Sequence, residues 1–330
     1  MATDVAMKVL VTGGAGYIGA HVARALAEAG HAPIIVDDLR GATAERVGAF
    51  AHEAVGCEDT AALVAVFRRH HPDAVVHLAG YISVGESVRE PDKYWGNNLG
   101  AAASVLLACA RQPVETVLFS STAAVYGNAA VIPIPEHIAL APTSPYGASK
   151  LAFERLLHAS ALALGFRSAA LRYFNAAGAH PDWRVGEAHA VEEHLIPRVI
   201  DALLGGRAVQ VYGDDYPTAD GTCERDYIHV ADLASAHVQM LEADALPSGV
   251  SFNVGTGQRH SVLQVVYAVA RRLARTPAIE FLPRRPGDPA TLVADPAALM
   301  DALGWRPSHS SLDEIVDTAV AWELWQRARR

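Results

Sequence analysis

Tyr146 and Lys150, in the segment SPYGASK, have the types and spacing that best fit catalysis. Residues four apart on a helix share a face, so a phenol and an ammonium group would stand side by side. A free tyrosine has a pKa of about 10, and a neighbouring positive charge lowers that pKa toward a usable phenolate. Thr122, in FSSTAAVYG, adds a hydroxyl that could bond the same substrate oxygen. The set predicts a general base for hydride-transfer chemistry; the alternative is a capped helix with surface side chains.

These side chains require a strand that ends at Thr122 and a helix that begins near Tyr146. Ser144 is a plausible N-cap and Pro145 suits the first helical position. Short apolar runs predict strands at 8–13, 33–37, 74–80, 116–121 and 168–174. Segments of helical period lie between and after them, at 17–30, 60–71, 91–111, 146–164, 193–204, 231–243, 261–274 and 311–327. Strands that are apolar on both faces and separated by helices indicate a parallel doubly wound sheet.

The segment VTGGAGYIG places Gly13, Gly16 and Gly19 between the first predicted strand and the first helix. This spacing permits a tight turn, a close approach of a pyrophosphate to the backbone, and packing of the helix on the strand. The helix N-terminus supplies N–H donors and a partial positive charge for the phosphates. The context predicts a dinucleotide site, although such turns also occur for structural reasons alone.

Asp37 ends the second predicted strand, about twenty residues beyond the glycines, with Asp38 beside it. These carboxylates would bond ribose hydroxyls and repel a 2′-phosphate, which favours NAD over NADP. Arg40 lies close by in the sequence and leaves that preference open.

Composition limits the class of protein. The 330 residues are 51% hydrophobic and 19% charged, which is typical of a globular enzyme, and the net charge of −9 argues against nucleic-acid binding. Three cysteines without close spacing fit a reducing compartment, so a cytoplasmic location is expected. No signal peptide or membrane-length apolar segment is visible, and no membrane partner is expected.

Several segments together resemble the nucleotide-sugar 4-epimerases of the extended short-chain dehydrogenase/reductase superfamily: TGGAGYIG, SSTAAVYG, SPYGASK, RYFNAAGA and CERDYIHVADLA. The resemblance runs from about residue 8 to about residue 325. It implies an α/β fold, with a Rossmann-type doubly wound parallel sheet and a smaller α/β C-terminal substrate domain. The implied NAD-binding domain is 1–175 with about 224–247 interleaved, and the nucleotide-sugar domain is about 176–223 and 248–330.

The resemblance implies an isomerase that reversibly 4-epimerises a UDP-sugar, the pair UDP-glucose and UDP-galactose being the leading expectation. Tyr146 takes the proton of the C4 hydroxyl while the C4 hydride passes to tightly bound NAD and later returns to the other face. Lys150 holds the nicotinamide ribose and tunes Tyr146, and Thr122 orients the hydroxyl. A homodimer formed through the helices at 91–111 and 146–164 is also implied.

The resemblance carries two sets of binding residues onto this chain. The expected cofactor-binding residues are Gly13, Gly16, Tyr17, Ile18, Gly19, Asp37, Asp38, Leu39, Cys57, Leu78, Ala79, Gly80, Asn98, Ser120, Tyr146, Lys150 and Tyr173. The expected substrate-binding residues are Ser121, Thr122, Tyr146, Asn175, His194, Leu195, Tyr212, Arg225, Arg285 and Asp288. Tyr212 would pack on uracil and the arginines would hold the diphosphate, whereas Arg284 is expected to be solvated.

Ala123 and Ala124 separate this chain from two relatives. Sugar 4,6-dehydratases carry an acid after the Ser/Thr, because loss of water needs a proton donor there, and UDP-glucuronate decarboxylases usually carry a Glu in that turn. The sequence favours epimerisation over both. A nucleotide-sugar dehydratase and a non-catalytic NAD sensor remain as alternatives.

Other departures bear on the sugar and the cofactor. Leu292 stands where a Tyr in the family restricts N-acetyl sugars, so UDP-N-acetylhexosamines are an alternative substrate class. The segments AGYISVGES and EEHLIP resemble epimerases of UDP-pentoses, so UDP-xylose and UDP-arabinose are another. Cys57, Ile82 and His194 replace a usual Asp, Lys and Asn, respectively. The fifteen histidines show no motif typical of a metal site, and no metal is expected.

Overall fold

The structure is a computed structural model that describes residues 6–180, 182–189, 191–244, 248–285 and 287–329. Within those residues the strands are β1 (Lys8–Thr12), β2 (Ala32–Val36), β3 (Ala51–Glu53), β4 (Ala74–His77), β5 (Thr116–Thr122), β6 (Arg167–Tyr173), β7 (Asn175–Ala177), β8 (Ala179–His180), β9 (Val185–Gly186), β10 (Val209–Tyr212), β11 (Glu224–Arg225), β12 (Tyr227–His229), β13 (Val250–Val254), β14 (His260–Ser261), β15 (Ile279–Leu282) and β16 (Thr291–Leu292).

The helices of the same described residues are α1 (Tyr17–Glu28), α2 (Ala44–Val47), α3 (Thr60–His70), α4 (Val84–Arg89), α5 (Pro91–Tyr94), α6 (Gly100–Arg111), α7 (Pro145–Leu164), α8 (Leu195–Leu204), α9 (Val230–Glu242), α10 (Val262–Arg272), α11 (Ala297–Leu303) and α12 (Leu312–Arg327). A π-helical turn, Trp95–Leu99, joins α5 to α6, and a 3-10 turn, Ala123–Val125, follows β5. The predicted helix at 91–111 is therefore two α-helices with a π-helical turn between them.

A seven-stranded sheet in the order β13–β6–β5–β4–β1–β2–β3 forms the centre of the protein, and every pairing in it is parallel. Helices cover both faces: Val9 of β1 packs in the core that α1 and α9 share, and Leu10 packs in the core of α3, α6 and α7. The alternation follows from the two-residue period of a strand. The predicted doubly wound parallel sheet is confirmed.

The five predicted strands are confirmed with shifts of a few residues at their ends, but the prediction missed both edge strands, β3 and β13. An edge strand has only one neighbour, and β3 is short and half-exposed, so its composition carries little signal. β13 pairs with β6 some eighty positions earlier in the chain. Nothing local in VSFNV indicates that partner.

A second group of elements lies beyond β6 and has its own core. Helices α8, α10 and α12 share one apolar cluster, whose buried members include Val199, Val266 and Ile315. The segment 227–229 returns to pair β12 with β7, and α9 then packs on α1 in the first core. The predicted domain limits stay a prediction, and β13, which the prediction placed in the smaller domain, is a strand of the central sheet.

None of the helices in the described part of the chain is both long enough and apolar enough to cross a lipid bilayer.

Candidate active site

The start of α7 positions the predicted base. The Ser144 hydroxyl caps the helix by accepting a hydrogen bond from the Gly147 N–H at 3.2 Å, with Pro145 as the first helical residue. A Cβ at Gly147 would lie 2.7 Å from the Ala124 carbonyl oxygen, so only glycine lets the helix pack this closely on the turn after β5. The capped helix therefore holds Tyr146 against the end of β5.

Lys150 lies one turn further along α7 and is 4% exposed. Its ammonium donates to the Ser120 carbonyl oxygen at 2.8 Å and lies 4.9 Å from the centre of the Phe119 ring. Its distance to the centre of the Tyr146 ring is 6.0 Å. Burial lowers the pKa of Lys150 to about 8, so the group is still mostly charged at neutral pH.

Burial raises the pKa of Tyr146, and interaction with the Thr122 hydroxyl opposes that rise. The effect of burial on the pKa is larger than that of Thr122, so the protein's own groups leave the phenol protonated at neutral pH. The spacing of Tyr146 and Lys150 predicts that Lys150 favours the phenolate, but in the structure Thr122 is the neighbour that lowers the pKa of Tyr146.

Thr122 is the last residue of β5, half-buried, and in register with Tyr173 of β6. Its hydroxyl oxygen accepts from the Ala124 N–H at 3.1 Å, which caps the 3-10 turn. Because neighbouring residues of a strand point to opposite faces, Thr122 and Ser121 cannot serve the same side of the sheet. The hydroxyl of Thr122 lies on the side of Tyr146.

Ser121 is 1% exposed, and its hydroxyl donates to a carboxylate oxygen of Glu154 on α7. Glu154 pairs with Arg172 of β6 at 2.7 Å, and both side chains are at most 5% exposed. Arg172 also donates to the Tyr126 hydroxyl at 2.9 Å. This buried network ties β5, β6 and α7 together beneath the catalytic residues. The predicted contact of Ser121 with substrate stays a prediction, and this hydroxyl is already engaged.

The glycine loop connects β1 to α1. Gly13 has φ +68°, and a Cβ there would lie 2.8 Å from the backbone of Ala79. A Cβ at Gly19 would lie 2.1 Å from the Gly13 carbonyl oxygen. Gly16 is the N-cap of α1 and has no side chain to cover the N–H groups of the first turn. The loop therefore fits a pyrophosphate at the helix N-terminus.

Two aspartates follow β2. Asp37 accepts from the Leu39 N–H at 2.8 Å, and Asp38 accepts from the Arg40 side chain at 2.6 Å. Arg40 also donates to Glu58, so two carboxylates already engage its guanidinium. An arginine held in this way is poorly placed to bind a 2′-phosphate, which strengthens the preference for NAD.

The loop after β4 contains the predicted cofactor residues Leu78, Ala79 and Gly80. The Asn98 side chain, from the π-helical turn, accepts from the Tyr81 N–H at 2.8 Å and donates to the Tyr81 carbonyl at 3.0 Å. A Cβ at Gly80 would lie 3.0 Å from the Asn98 amide oxygen. Asn98 therefore holds this loop in shape beside the glycine loop.

Four other predicted cofactor-binding residues are buried or partly buried: Tyr17, Ile18, Cys57 and Tyr173. The Tyr17 hydroxyl donates to the Gly178 carbonyl at 2.6 Å, and the Tyr173 hydroxyl lies 2.6 Å from Nε2 of His237. Burial raises the pKa of the Cys57 thiol to about 12, so this cysteine is an inert apolar side chain.

The predicted UDP-binding residues form two contacts with one another. Arg225 donates to Asp288 at 3.0 Å, and the predicted substrate-binding role of both residues stays a prediction. The Arg285 guanidinium lies 4.0 Å from the centre of the Tyr212 ring. Arg284 donates instead to Asp215 at 2.6 Å on the exposed surface, in keeping with its expected solvated position.

Asn175 and the start of α8 complete the predicted substrate side. The Asn175 amide donates to the Asp226 carbonyl at 2.8 Å, where β7 meets β12. His194 is the N-cap of α8 and Leu195 is its first residue.

The two segments associated with UDP-pentoses meet in the structure. The Ser83 hydroxyl, in AGYISVGES, donates to the Glu193 carboxylate, in EEHLIP, at 2.6 Å. Ile82, beside Ser83, is 46% exposed. The two residues are 110 positions apart, so the sequence alone gives no sign of this contact.

Three of the residues on which the substrate and reaction predictions depend, Ala123, Ala124 and Leu292, lie at or near the turn that follows β5. Ala123 is 3% exposed and Ala124 is half-buried. Leu292 packs on the apolar cluster that contains Ala123.

The structure also brings together four side chains that sequence analysis did not connect, here named the 187–194 cluster: Glu187, His189, Glu192 and His194. One ligand atom from each lies within 4.8 Å of the other three. The only sequence signal is the spacing Glu-x-His-x2-Glu-x-His, which matches no familiar metal motif. The fold of the turn, not the spacing alone, makes the group.

A glycine loop at a strand–helix junction, acidic residues after the next strand and a Tyr–Lys pair beside a strand-end hydroxyl define a nucleotide-dependent enzyme of the short-chain dehydrogenase/reductase kind. Residues 9–255 match the NAD dependent epimerase/dehydratase family, and the chain belongs to that family.

Proteins similar to this chain cover nearly all of it. A UDP-glucose 4-epimerase of Azospirillum brasilense is 45% identical over 324 residues, which are 97% of this chain and 93% of that protein. The structure of a UDP-glucose 4-epimerase from Brucella ovis in complex with NAD is 43% identical, with a TM-score of 0.91 over 96% of this chain and 98% of that chain. One from Stenotrophomonas maltophila, with bound NAD and formylated UDP-arabinopyranose, is 38% identical, with a TM-score of 0.93 over 98% and 100%. The predictions of family, fold class, NAD as cofactor and an isomerase are confirmed.

Proposed function

We propose that this chain catalyses the reversible 4-epimerisation of a UDP-sugar, with UDP-glucose and UDP-galactose as the leading pair. The observation that carries the proposal is the juxtaposition of Tyr146 and Lys150 at the start of α7 with the Thr122 hydroxyl at the end of β5. Relatives that match almost the whole chain are UDP-glucose 4-epimerases.

In the proposed reaction, side chains of this protein transfer one proton from the sugar and later return it. Tyr146 accepts the proton of the sugar C4 hydroxyl and later returns it to the C4 oxygen. Thr122 orients that hydroxyl and stabilises the phenolate by a hydrogen bond. Lys150, whose ammonium is fixed by the Ser120 carbonyl, would hold the cofactor by donating its remaining N–H groups to ribose hydroxyls. Bound NAD supplies a reversible hydride acceptor and a positive ring charge that lowers the pKa of the nearby phenol.

The turn that follows β5 supports epimerisation over dehydration. Elimination of water across C5 and C6 needs a proton donor beside the 4-keto sugar, and neither Ala123 nor Ala124 has one. Ala123 is buried in an apolar cluster, so an acid at that position would have to be desolvated.

The proposed cofactor site comprises the glycine loop, the carboxylate of Asp37 and the loop that Asn98 holds. Its fit to a dinucleotide rests on the open N-terminus of α1 and on the close packing of the glycine loop against the backbone of Ala79, which a Cβ at Gly13 would block. The proposed uridine diphosphate site lies at Arg225 and Arg285, where the stacked ring of Tyr212 offers a flat apolar face.

Two other classes of UDP-sugar are alternative substrates, and a separate observation supports each of them. The contact between Ser83 and Glu193 joins the two segments that resemble UDP-pentose epimerases, and a similar structure holds formylated UDP-arabinopyranose. Leu292 leaves more space than a tyrosine would and favours UDP-N-acetylhexosamines.

A homodimer through α6 and α7 is part of the proposal. Exposed apolar side chains lie along these helices and the turn before them: Trp95, Leu107, Leu156 and Leu162. Because exposed apolar side chains favour association, light scattering should give twice the chain mass, and Leu156→Glu should shift it to the mass of the monomer. We also propose a cytoplasmic location, since the three cysteines are free and buried as expected in a reducing compartment.

The activity is tested with purified enzyme and UDP-galactose, with and without added NAD. We expect UDP-glucose without accumulation of NADH, whereas a stable 4-keto-6-deoxy sugar would identify a dehydratase and overturn the proposal. Tyr146→Phe should abolish turnover, and Tyr267→Phe, at an exposed tyrosine, is the matched control. An active Tyr146→Phe would remove Tyr146 from the mechanism. A panel with UDP-N-acetylglucosamine and UDP-xylose then ranks the sugars.

A further inference from the structure

The 187–194 cluster lies in the turn between β9 and α8, and one of its members, His194, is also a predicted substrate-binding residue, whereas the other three have no part in the function proposed above. Glu187 forms its floor, with a side chain 7% exposed. The other three members, His189, Glu192 and His194, have side chains that are 25%, 22% and 49% exposed. The group therefore has a buried carboxylate at the base and an open side toward solvent.

The contacts inside the cluster join carboxylate oxygens to ring nitrogens. Oε1 of Glu187 lies 2.6 Å from Nδ1 of His194 and 3.2 Å from Nε2 of His189. Oε1 of Glu192 lies 3.1 Å from the same Nδ1 of His194. One ring nitrogen thus faces two carboxylates, which bring two negative charges to a partly buried place.

Although burial opposes the effect, the Glu187 and Glu192 carboxylates raise the pKa of His194 to about 10, so a metal ion bound here would replace the proton on its imidazole. In the part of the chain that the structure describes, no lysine or arginine side chain forms an ion pair with Glu187 or Glu192. Buried Arg46 lies nearby, but it donates to the Gly186 backbone carbonyl at 2.8 Å. Imidazole nitrogens are the only side-chain partners of the buried carboxylate in these residues.

We propose that the 187–194 cluster is a binding site for one divalent transition-metal cation of the Zn²⁺ type. Two imidazole nitrogens and two carboxylate oxygens are ligands that zinc accepts in tetrahedral geometry, at about 2.0–2.2 Å each. Ligand atoms around such an ion lie about 3.4 Å apart. The three paired separations of 2.6–3.2 Å would expand slightly to admit the ion, and all four ligand atoms already lie within 4.8 Å of one another.

The cation would anchor a turn that matters for the substrate. His194 is the N-cap of α8, and Leu195 begins that helix. The backbone carbonyl of Glu187 accepts from the Trp322 indole at 2.7 Å, which connects the turn to α12. A metal here crosslinks the two ends of the turn, so its role is to hold the start of α8 and not to take part in proton transfer.

The first experiment measures zinc and magnesium binding to the full-length, untagged holoenzyme by titration calorimetry after treatment with a chelator. We expect one Zn²⁺ per chain at low micromolar affinity or tighter, and Mg²⁺ at least about a hundredfold weaker, because magnesium prefers oxygen ligands. The three cysteines do not compete, since all are buried. No saturable zinc binding, or equal binding of magnesium, overturns the proposal.

The second experiment locates the ion. His189→Gln and Glu192→Gln should each weaken zinc binding at least about tenfold, since each removes one of four ligands. His309→Gln is the matched control, because His309 pairs with Glu314 at 2.7 Å on the surface elsewhere. Zinc should also raise the melting temperature of the wild type and the control, but not of the two variants. Unchanged binding in both variants, as zinc held by nucleotide phosphates would give, refutes the assignment.

Discussion

Thr122→Val tests the central claim about the catalytic site, because it removes a hydroxyl and keeps the shape of the side chain. Two interactions are lost. The Ala124 N–H loses its acceptor at 3.1 Å, and Tyr146 loses the neighbour that lowers its pKa.

The two losses have different sizes and different readouts. A backbone N–H that is left without a hydrogen-bond acceptor at a turn lowers the free energy of unfolding by about 1 kcal/mol. A hydrogen bond to a charged phenolate contributes about 1.5–3 kcal/mol, which corresponds to roughly a ten- to 150-fold lower kcat at fixed pH.

The pH dependence follows from the same contact. A base acts only when it is deprotonated, so activity rises as the pH passes the pKa of Tyr146. Burial already raises that pKa, and loss of Thr122 raises it further. The rising limb of the pH profile should therefore move to higher pH in Thr122→Val, and the defect should be largest at low pH.

The assay is formation of UDP-glucose from UDP-galactose between pH 6 and 10, with melting temperature measured on the same samples. Thr122→Ser keeps the hydroxyl and is expected to retain most of the rate and the wild-type pH profile. If Thr122→Val turns over within twofold of the wild type with an unmoved profile, the assignment of Thr122 is wrong.

Three further predictions concern the buried charges and the catalytic turn. Glu154→Ala leaves Arg172 buried without its partner and should lower the free energy of unfolding by about 3–5 kcal/mol in denaturant titration, and a loss below 1 kcal/mol would contradict the buried pair. Lys150→Met should inactivate the enzyme yet stabilise the nucleotide-free protein near pH 7 by about 3 kcal/mol, because burial lowers the pKa of Lys150 from 10.5 to about 8. This difference in the free energy of unfolding between variant and wild type should disappear as the pH rises from about 8 to 10.5, and a difference that is independent of pH would refute the prediction. Ala123→Asp should fold poorly and Ala124→Asp should fold normally, because only the first position is fully buried, and equal melting temperatures would contradict this difference.

The sequence by itself was sufficient for the features that depend on local chemistry. The glycine loop needs residues without a Cβ within a few positions of one another, and the capped start of α7 needs Ser144, Pro145 and Gly147 in order. The contact of Gly19 with Gly13 and the Ser144 cap join residues a few positions apart, so they are visible in the order of residues, whereas the close approaches of Gly13 to Ala79 and of Gly147 to Ala124 come from the fold. The alternation of apolar runs likewise indicated the central parallel strands and the helices between them.

Tertiary structure decided which of those residues meet and what state they are in. Ser121 and Thr122 are neighbours of the same kind, yet one hydroxyl lies against Glu154 and the other lies beside Tyr146, because the strand turns them to opposite faces. The protonation of Tyr146 depends on burial, which no spacing reveals. The Ser83–Glu193 contact and the pairing of β13 with β6 arise only when folding brings distant segments together, and the 187–194 cluster forms only because its local backbone turns four nearby side chains toward one another.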